Sequence, residues 1–275
     1  MSKSKILFIS QEIEPYLNNT SLAQLGKKLP QYTQDHGKEI RIFMPRFGNV
    51  NERRNQLHEV IRLSGLNITI DNQDHPLLIK VASIPSIHIQ IYFIDNEDYF
   101  TDKVDVINAD GSLVKYNDER AMFFARGVLE TIKKFAWKPD VIHCTGWFTM
   151  LVPFYVKRTG YYKNSPFFME SKVVLSLYDD DFGQMLAENM AKKMKADGGT
   201  QKDWRFYKEP TYLNIMKAAI SYSTGVVLAS DKVNPELIEF AKENKKDIIP
   251  YVEDEKERCK IINDYYDSII EKDEE

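Results

Sequence analysis

The chain has 275 residues, carries 37 Lys+Arg against 41 Asp+Glu, and is 43% hydrophobic. That length holds one large domain or two small ones, and it buries a core without disulfide or metal staples. A net charge of −4 leaves no electrostatic footprint for nucleic acid, and two cysteines in unrelated contexts, Cys144 and Cys259, exclude a disulfide framework and a zinc spacing.

The first apolar run, KILFIS (Lys5–Ser10), ends at Gln11-Glu12. It is too short for a signal peptide, and no stretch approaches the roughly 18 apolar residues of a membrane span. A cytoplasmic protein with no membrane partner is expected. KILFIS reads instead as a strand apolar on both faces, as central strands of a parallel sheet are. Ser21–His36 places Leu22, Leu25, Leu29 and Tyr32 near a 3.6 period and predicts a helix. Glu39–Met44 is a second strand. Arg53, Arg54 and Arg62 read as a solvated helix face. Glu59–Ile70 and Leu77–Ser83, joined at Asp71–Asp74, predict a β-hairpin beside the main sheet.

His88–Asp95 is the next strand, and Asn117–Trp137 the clearest helix, with Asn117 or Asp118 as its cap. Then follow a strand at Asp140–Cys144, a helix at Phe148–Arg158, a strand at Lys172–Tyr178, and helices at Gly183–Lys195 and Pro210–Ser223. Gly225–Ser230 is a last strand, and Pro235–Asn244 a helix with a first-turn proline after Asn234. This alternation predicts an α/β fold, a Rossmann-like, doubly wound, mainly parallel sheet with a hairpin insertion. The expected division is a domain over 1–252 and an acidic helical tail over 253–275. The tail holds ten acids and four bases, so it makes the chain acidic. Its helix, Asp254–Ile270, docks on the domain or meets a partner.

Ligands of open parallel sheets bind beyond the carboxyl ends of the strands. The first such loop, QEIEPYLNNTS, has no glycine, so it is not a dinucleotide turn, and no P-loop is present. No cofactor and no metal are expected. Glu12 directly follows the first strand and is the acid best placed for a site. Asp179–Asp181 read as solvated loop acids, and His143 as a core histidine. Cys144 has no partners for nucleophilic chemistry. Trp147, just past a strand, suits either stacking on a sugar ring or packing at a helix start.

KILFISQEIEPY, with KKLPQYTQDHGKEIRIFMPRFG after it, resembles the opening of bacterial glycogen and plant starch synthases. YNDERAMFFARGVLETI, WKPDVIHCTGWFTMLVPFYVK and YLNIMKAAISYSTGVVLAS extend the resemblance over roughly residues 4–231. It implies the N-terminal half of a GT-B glycosyltransferase that uses ADP-glucose. Several family motifs are altered. Lys-Thr-Gly-Gly-Leu-Ala-Asp stands here as Asn18-Asn19-Thr20-Ser21-Leu22-Ala23-Gln24. His-Asp-Trp-His stands as Thr145-Gly146-Trp147-Phe148, and Thr-Ile-His-Asn as Ser176-Leu177-Tyr178-Asp179. The family's nucleotide-binding second domain does not match 253–275.

The resemblance therefore implies an acceptor-side domain that is not catalytic alone. It would bind an α-glucan, or a protein partner or second copy through the C-terminal helix. The alternative is an ADP-glucose transferase completed by a partner chain. The residues nearest the family's cleft are Glu12, Asn18, Thr20, Thr145, Trp147 and Tyr178, as substrate-binding rather than catalytic groups.

Overall fold

The computed structural model describes residues 3–17, 20–101 and 105–271. These form ten strands: β1 (Lys5–Ser10), β2 (Glu39–Pro45), β3 (His58–Glu59), β4 (Leu66–Ile70), β5 (Gln73–Ile84), β6 (Ile89–Asp95), β7 (Val141–Thr145), β8 (Lys172–Leu177), β9 (Gly225–Leu228) and β10 (Asp247–Ile249). The helices are α1 (Ser21–Asp35), α2 (Asn117–Lys134), α3 (Val152–Arg158), α4 (Gly160–Lys163), α5 (Met190–Asp197), α6 (Gln201–Trp204), α7 (Tyr212–Tyr222), α8 (Pro235–Glu243) and α9 (Glu255–Glu271). The strand order is β10-β9-β8-β7-β1-β2-β6-β5-β3, with β4 paired to β5. Pairing is parallel from β10 to β6 and antiparallel at β5, β3 and β4.

The period of two in β1 divides the core between the two faces of the sheet. Leu7 and Ile9 join α2, α3 and α7 in one apolar cluster, while Ile6 and Phe8 join α1 and α9 in the other. This confirms the doubly wound, mainly parallel sheet.

The hairpin differs from its expectation in two ways. The turn is only Asp71-Asn72, both at positive φ (46° and 63°), so β5 starts at Gln73 and runs through Pro76. A two-residue turn of this hand matches the twist of paired strands. Pro76 is tolerated because pairing with β6 begins only at Leu78, which leaves that stretch as an edge. The hairpin also extends the main sheet, since β5 pairs with β6 over seven residues. The first predicted run is broken at 61–65, where Gly65 at φ 85° turns the chain. The arginines at 53, 54 and 62 lie in turns rather than on a helix.

Asn234 caps α8 through Glu236 N–H, with Pro235 in its first turn, as expected. Asn117 does not cap α2. Tyr116, at φ 64°, holds that position, and Asn117 instead donates to Val106 O and accepts from Arg120. α9 docks on α1 and buries Cys259, Ile262, Tyr266 and Ile269. Its Tyr266 hydroxyl bonds His143 Nδ1, and His143 Nε2 meets Ser176 Oγ at 2.8 Å. The histidine is fully buried, and burial pushes its pKa down to about 3, so it is a neutral core residue.

Candidate functional site

The chain order reverses around β1, which lies between β2 and β7. Such a switch point opens a crevice at the carboxyl ends of the strands. Gln11, the first residue past β1, donates its N–H to Thr145 O at 3.0 Å. Its side-chain oxygen accepts from Phe148 N–H at 3.1 Å. Gly146 stands between these contacts at φ 85°. A Cβ there would lie 2.7 Å from Gln11 Cβ, so only glycine lets the two loops close.

Glu12 and Thr20 lie together across the mouth of the first loop. Thr20 Oγ1 donates to Glu12 Oε2 at 2.6 Å and accepts from Ala23 N–H at 3.0 Å, so one hydroxyl caps α1 and holds the acid. The Glu12 pKa is raised. Burial is the main cause, the Thr20 hydroxyl opposes it, and the charges of Asp105 and Asp180 add to it. Asn18 lies outside the described residues.

Thr145 and Trp147 are buried, and the Trp147 ring packs on Phe182 with centroids 4.7 Å apart. The indole is covered on that side, as in the packing alternative for this residue. Tyr178 is also buried, within the apolar cluster that α1 and α9 cover. Its hydroxyl has no hydrogen-bond partner among the described residues. The site residues thus divide. Glu12 and Thr20 form one polar unit, while Thr145 is buried and Trp147 and Tyr178 are packed into the two separate apolar clusters.

Asp180 is a cross-link at these loops that sequence reasoning misses. Asp179 and Asp181 are exposed, as expected of loop acids, but Asp180 is half-buried. Its carboxylate accepts from Trp147 N–H at 2.8 Å and from Tyr212 Oη at 2.7 Å. Desolvation raises its pKa, and those two hydrogen bonds oppose the rise. It ties the loop after β8 to the loop after β7 and to the start of α7. The available signal is its position three residues past the end of β8, in a run where periodicity distinguishes no acid from its neighbours.

A cavity of about 370 Å³ opens past β8 and β9, lined by none of Glu12, Thr20, Thr145, Trp147 or Tyr178. Ser21 and Gln24 of α1, Asp179, Asp231 and the 251–258 segment line it. Its carboxylates are Asp179, Asp231, Glu253 and Glu255, the last paired with Lys28 at 2.5 Å, against the cations Lys232 and Arg258. Arg258 is committed to the carbonyls of Val252 and Glu253, at 2.7 and 3.0 Å. The wall therefore carries a slight excess of negative charge and is rich in hydrogen-bond acceptors. Among the described residues no group of three His, Cys, Asp or Glu is placed to hold a metal ion. No helix there is long and apolar enough to cross a membrane.

The family model described as "Starch synthase catalytic domain" matches residues 5–249. The chain is 40% identical over 178 residues to a glycogen synthase of Chlorobium limicola, which covers 64% of this chain and 36% of the relative. It is 35% identical over 196 residues to the glycogen synthase of Chlorobium phaeovibrioides, covering 70% of this chain and 39% of that one. The chain thus spans a little over a third of the curated relatives it matches. The fold resembles the catalytic domain of starch synthase IV from Arabidopsis thaliana, solved bound to ADP and acarbose. The TM-score is 0.69 at 16% identity, over 91% of this chain and 52% of that one.

Proposed function

The chain belongs to the starch synthase catalytic domain family, and from that premise we propose that it holds a neutral α-glucan rather than the nucleotide sugar, and does not transfer glucose alone. The observation that carries this reading is the charge of the strand-end cavity. Four carboxylates line it against Lys232 and Arg258, and Lys28 pairs with Glu255 at 2.5 Å, which leaves an excess of one negative charge. A nucleoside diphosphate leaving group needs cations or amide dipoles. Carboxylates repel it, yet they accept hydrogen bonds from sugar hydroxyls. The N-terminus of α1, which would attract an anion, has its Ala23 N–H already satisfied by Thr20.

A second reading rests on the partial coverage of the relatives, 36% to 39% of their length. Here another polypeptide segment supplies the nucleotide-binding wall, and the two together transfer glucose from ADP-glucose. Calorimetry separates the readings. Maltoheptaose is expected to bind with a Kd on the order of 0.1–1 mM, with ADP-glucose giving no heat. Asp179→Ala, at an exposed position of the cavity, is expected to weaken the glucan by about tenfold. ADP-glucose binding tighter than the glucan rejects the first reading and favours the second.

A further inference from the structure

A different cavity, of about 470 Å³, lies at the far end of the hairpin. His75, Asp98, Tyr99, Tyr116 and Glu119 are among its walls. His75 is only 7% exposed, and its two ring nitrogens are unequally served. Nε2 lies 3.0 Å from Tyr99 Oη, and that hydroxyl donates its proton to Glu119 Oε2 at 2.9 Å. With its single proton spent on Glu119, Tyr99 can only accept from His75. The imidazole therefore carries its proton on Nε2 in the neutral form. Nδ1 is left as a bare acceptor with no hydrogen-bond partner among the described residues.

Nδ1 faces another acceptor. Asp98 Oδ2 stands 3.7 Å away, too far for a hydrogen bond. Asp98 is exposed, so this gap sits at the rim of the cavity. Two acceptors at this separation are matched by a pair of adjacent donors. Of the other two acids on this wall, Glu119 is paired with Lys193 at 2.5 Å and Asp71 is exposed at the hairpin turn, so the amine arm of the test below separates a cation from a sugar. Tyr116 presents a half-exposed ring, with Lys115 Nζ 5.0 Å from its centroid. A half-exposed phenol beside paired acceptors suits the apolar face and the hydroxyl edge of a pyranose.

We propose that this cavity is a second carbohydrate site, which takes a vicinal diol of a neutral oligosaccharide between His75 Nδ1 and Asp98. The choice of sugar class draws on the glucan reading above, but the site is separate from the strand-end cavity. The test is imidazole ¹⁵N NMR of the full chain, which reports the His75 tautomer and its neighbours directly. Maltotriose, added to about 20 mM to cover weak affinities, is expected to shift the His75 resonances in the wild type and in Asp179→Ala. Asp98→Ala, an exposed change, is expected to weaken that response by about tenfold. Movement of His75 with silence at the strand-end cavity keeps this site and rejects the glucan reading there. Stationary His75 resonances, or a response to n-butylamine without one to maltotriose, overturn the proposal.

Discussion

His143 makes the stability of this protein depend on pH in a way that can be isolated. Its ring is fully buried between Tyr266 and Ser176, and its native pKa lies near 3. An unfolded histidine titrates near 6.5. The folded pKa is therefore depressed, and the unfolded chain binds a proton that the native state refuses. Stability contributed by the neutral ring is full above pH 6.5 and is lost as pH falls toward 3. The slope is about 1.4 kcal/mol per pH unit once the unfolded ring is protonated. Between pH 8 and pH 5 the loss is about 2 kcal/mol. Urea unfolding at pH 8, 6.5 and 5 measures it through the midpoint at constant m. Carboxylates contribute over the same range, so the informative quantity is the difference from His143→Gln. That variant is less stable at pH 8, and its stability is expected to fall by about 2 kcal/mol less across the range. Parallel pH profiles for the two proteins would refute the assignment of a neutral, sealed histidine.

Two further predictions follow from contacts at and behind the site. Gly146→Ala forces a Cβ to 2.7 Å from Gln11 Cβ at φ 85°, so a loss of about 2–4 kcal/mol is expected. Thermal unfolding would register it as a fall of about 4–16 °C, and an unchanged midpoint would mean the two loops are not in contact. Lys193→Met strips the cation from Asp118 at 2.7 Å and Glu119 at 2.5 Å, and Asp118 is 1% exposed. A loss of about 3–5 kcal/mol is expected, and Asp118→Leu in the same chain should restore part of it, as read by denaturant midpoints.

The strands and most helices were legible because apolar residues recur at periods that the sheet and its covering helices require. Lys5–Ser10 is apolar on both faces because α1 and α2 cover both faces. Boundaries failed where one polar or special residue decides them. Asp71-Asn72 closes a two-residue turn that composition alone reads as four residues. Gly183–Lys195 begins as a helix only at Met190. β10 is three residues long and its pattern is too short to register. At the site, chain position pointed to Glu12, but it could not show that Thr20 both caps a helix and holds that acid. It also could not separate Asp180 from its two exposed neighbours. That distinction depends on Trp147 and Tyr212, which reach Asp180 from other parts of the chain.

The docking of α9 bears on how the molecule comes to be made. His143 lies in a central strand, yet its hydroxyl partner is 123 residues further along. Phe8 and Ile42, near the start, share their cluster with Cys259, Ile262 and Tyr266. Contacts of such long sequence separation form late, because the chain between them must first be confined. During synthesis, the part of this face that α1 does not cover therefore stays apolar and open until residues 255–271 are available. A chain cut short before them would show that face to water and to other chains. Such a fragment is expected to need a chaperone or to aggregate, even though it contains all ten of the strands described.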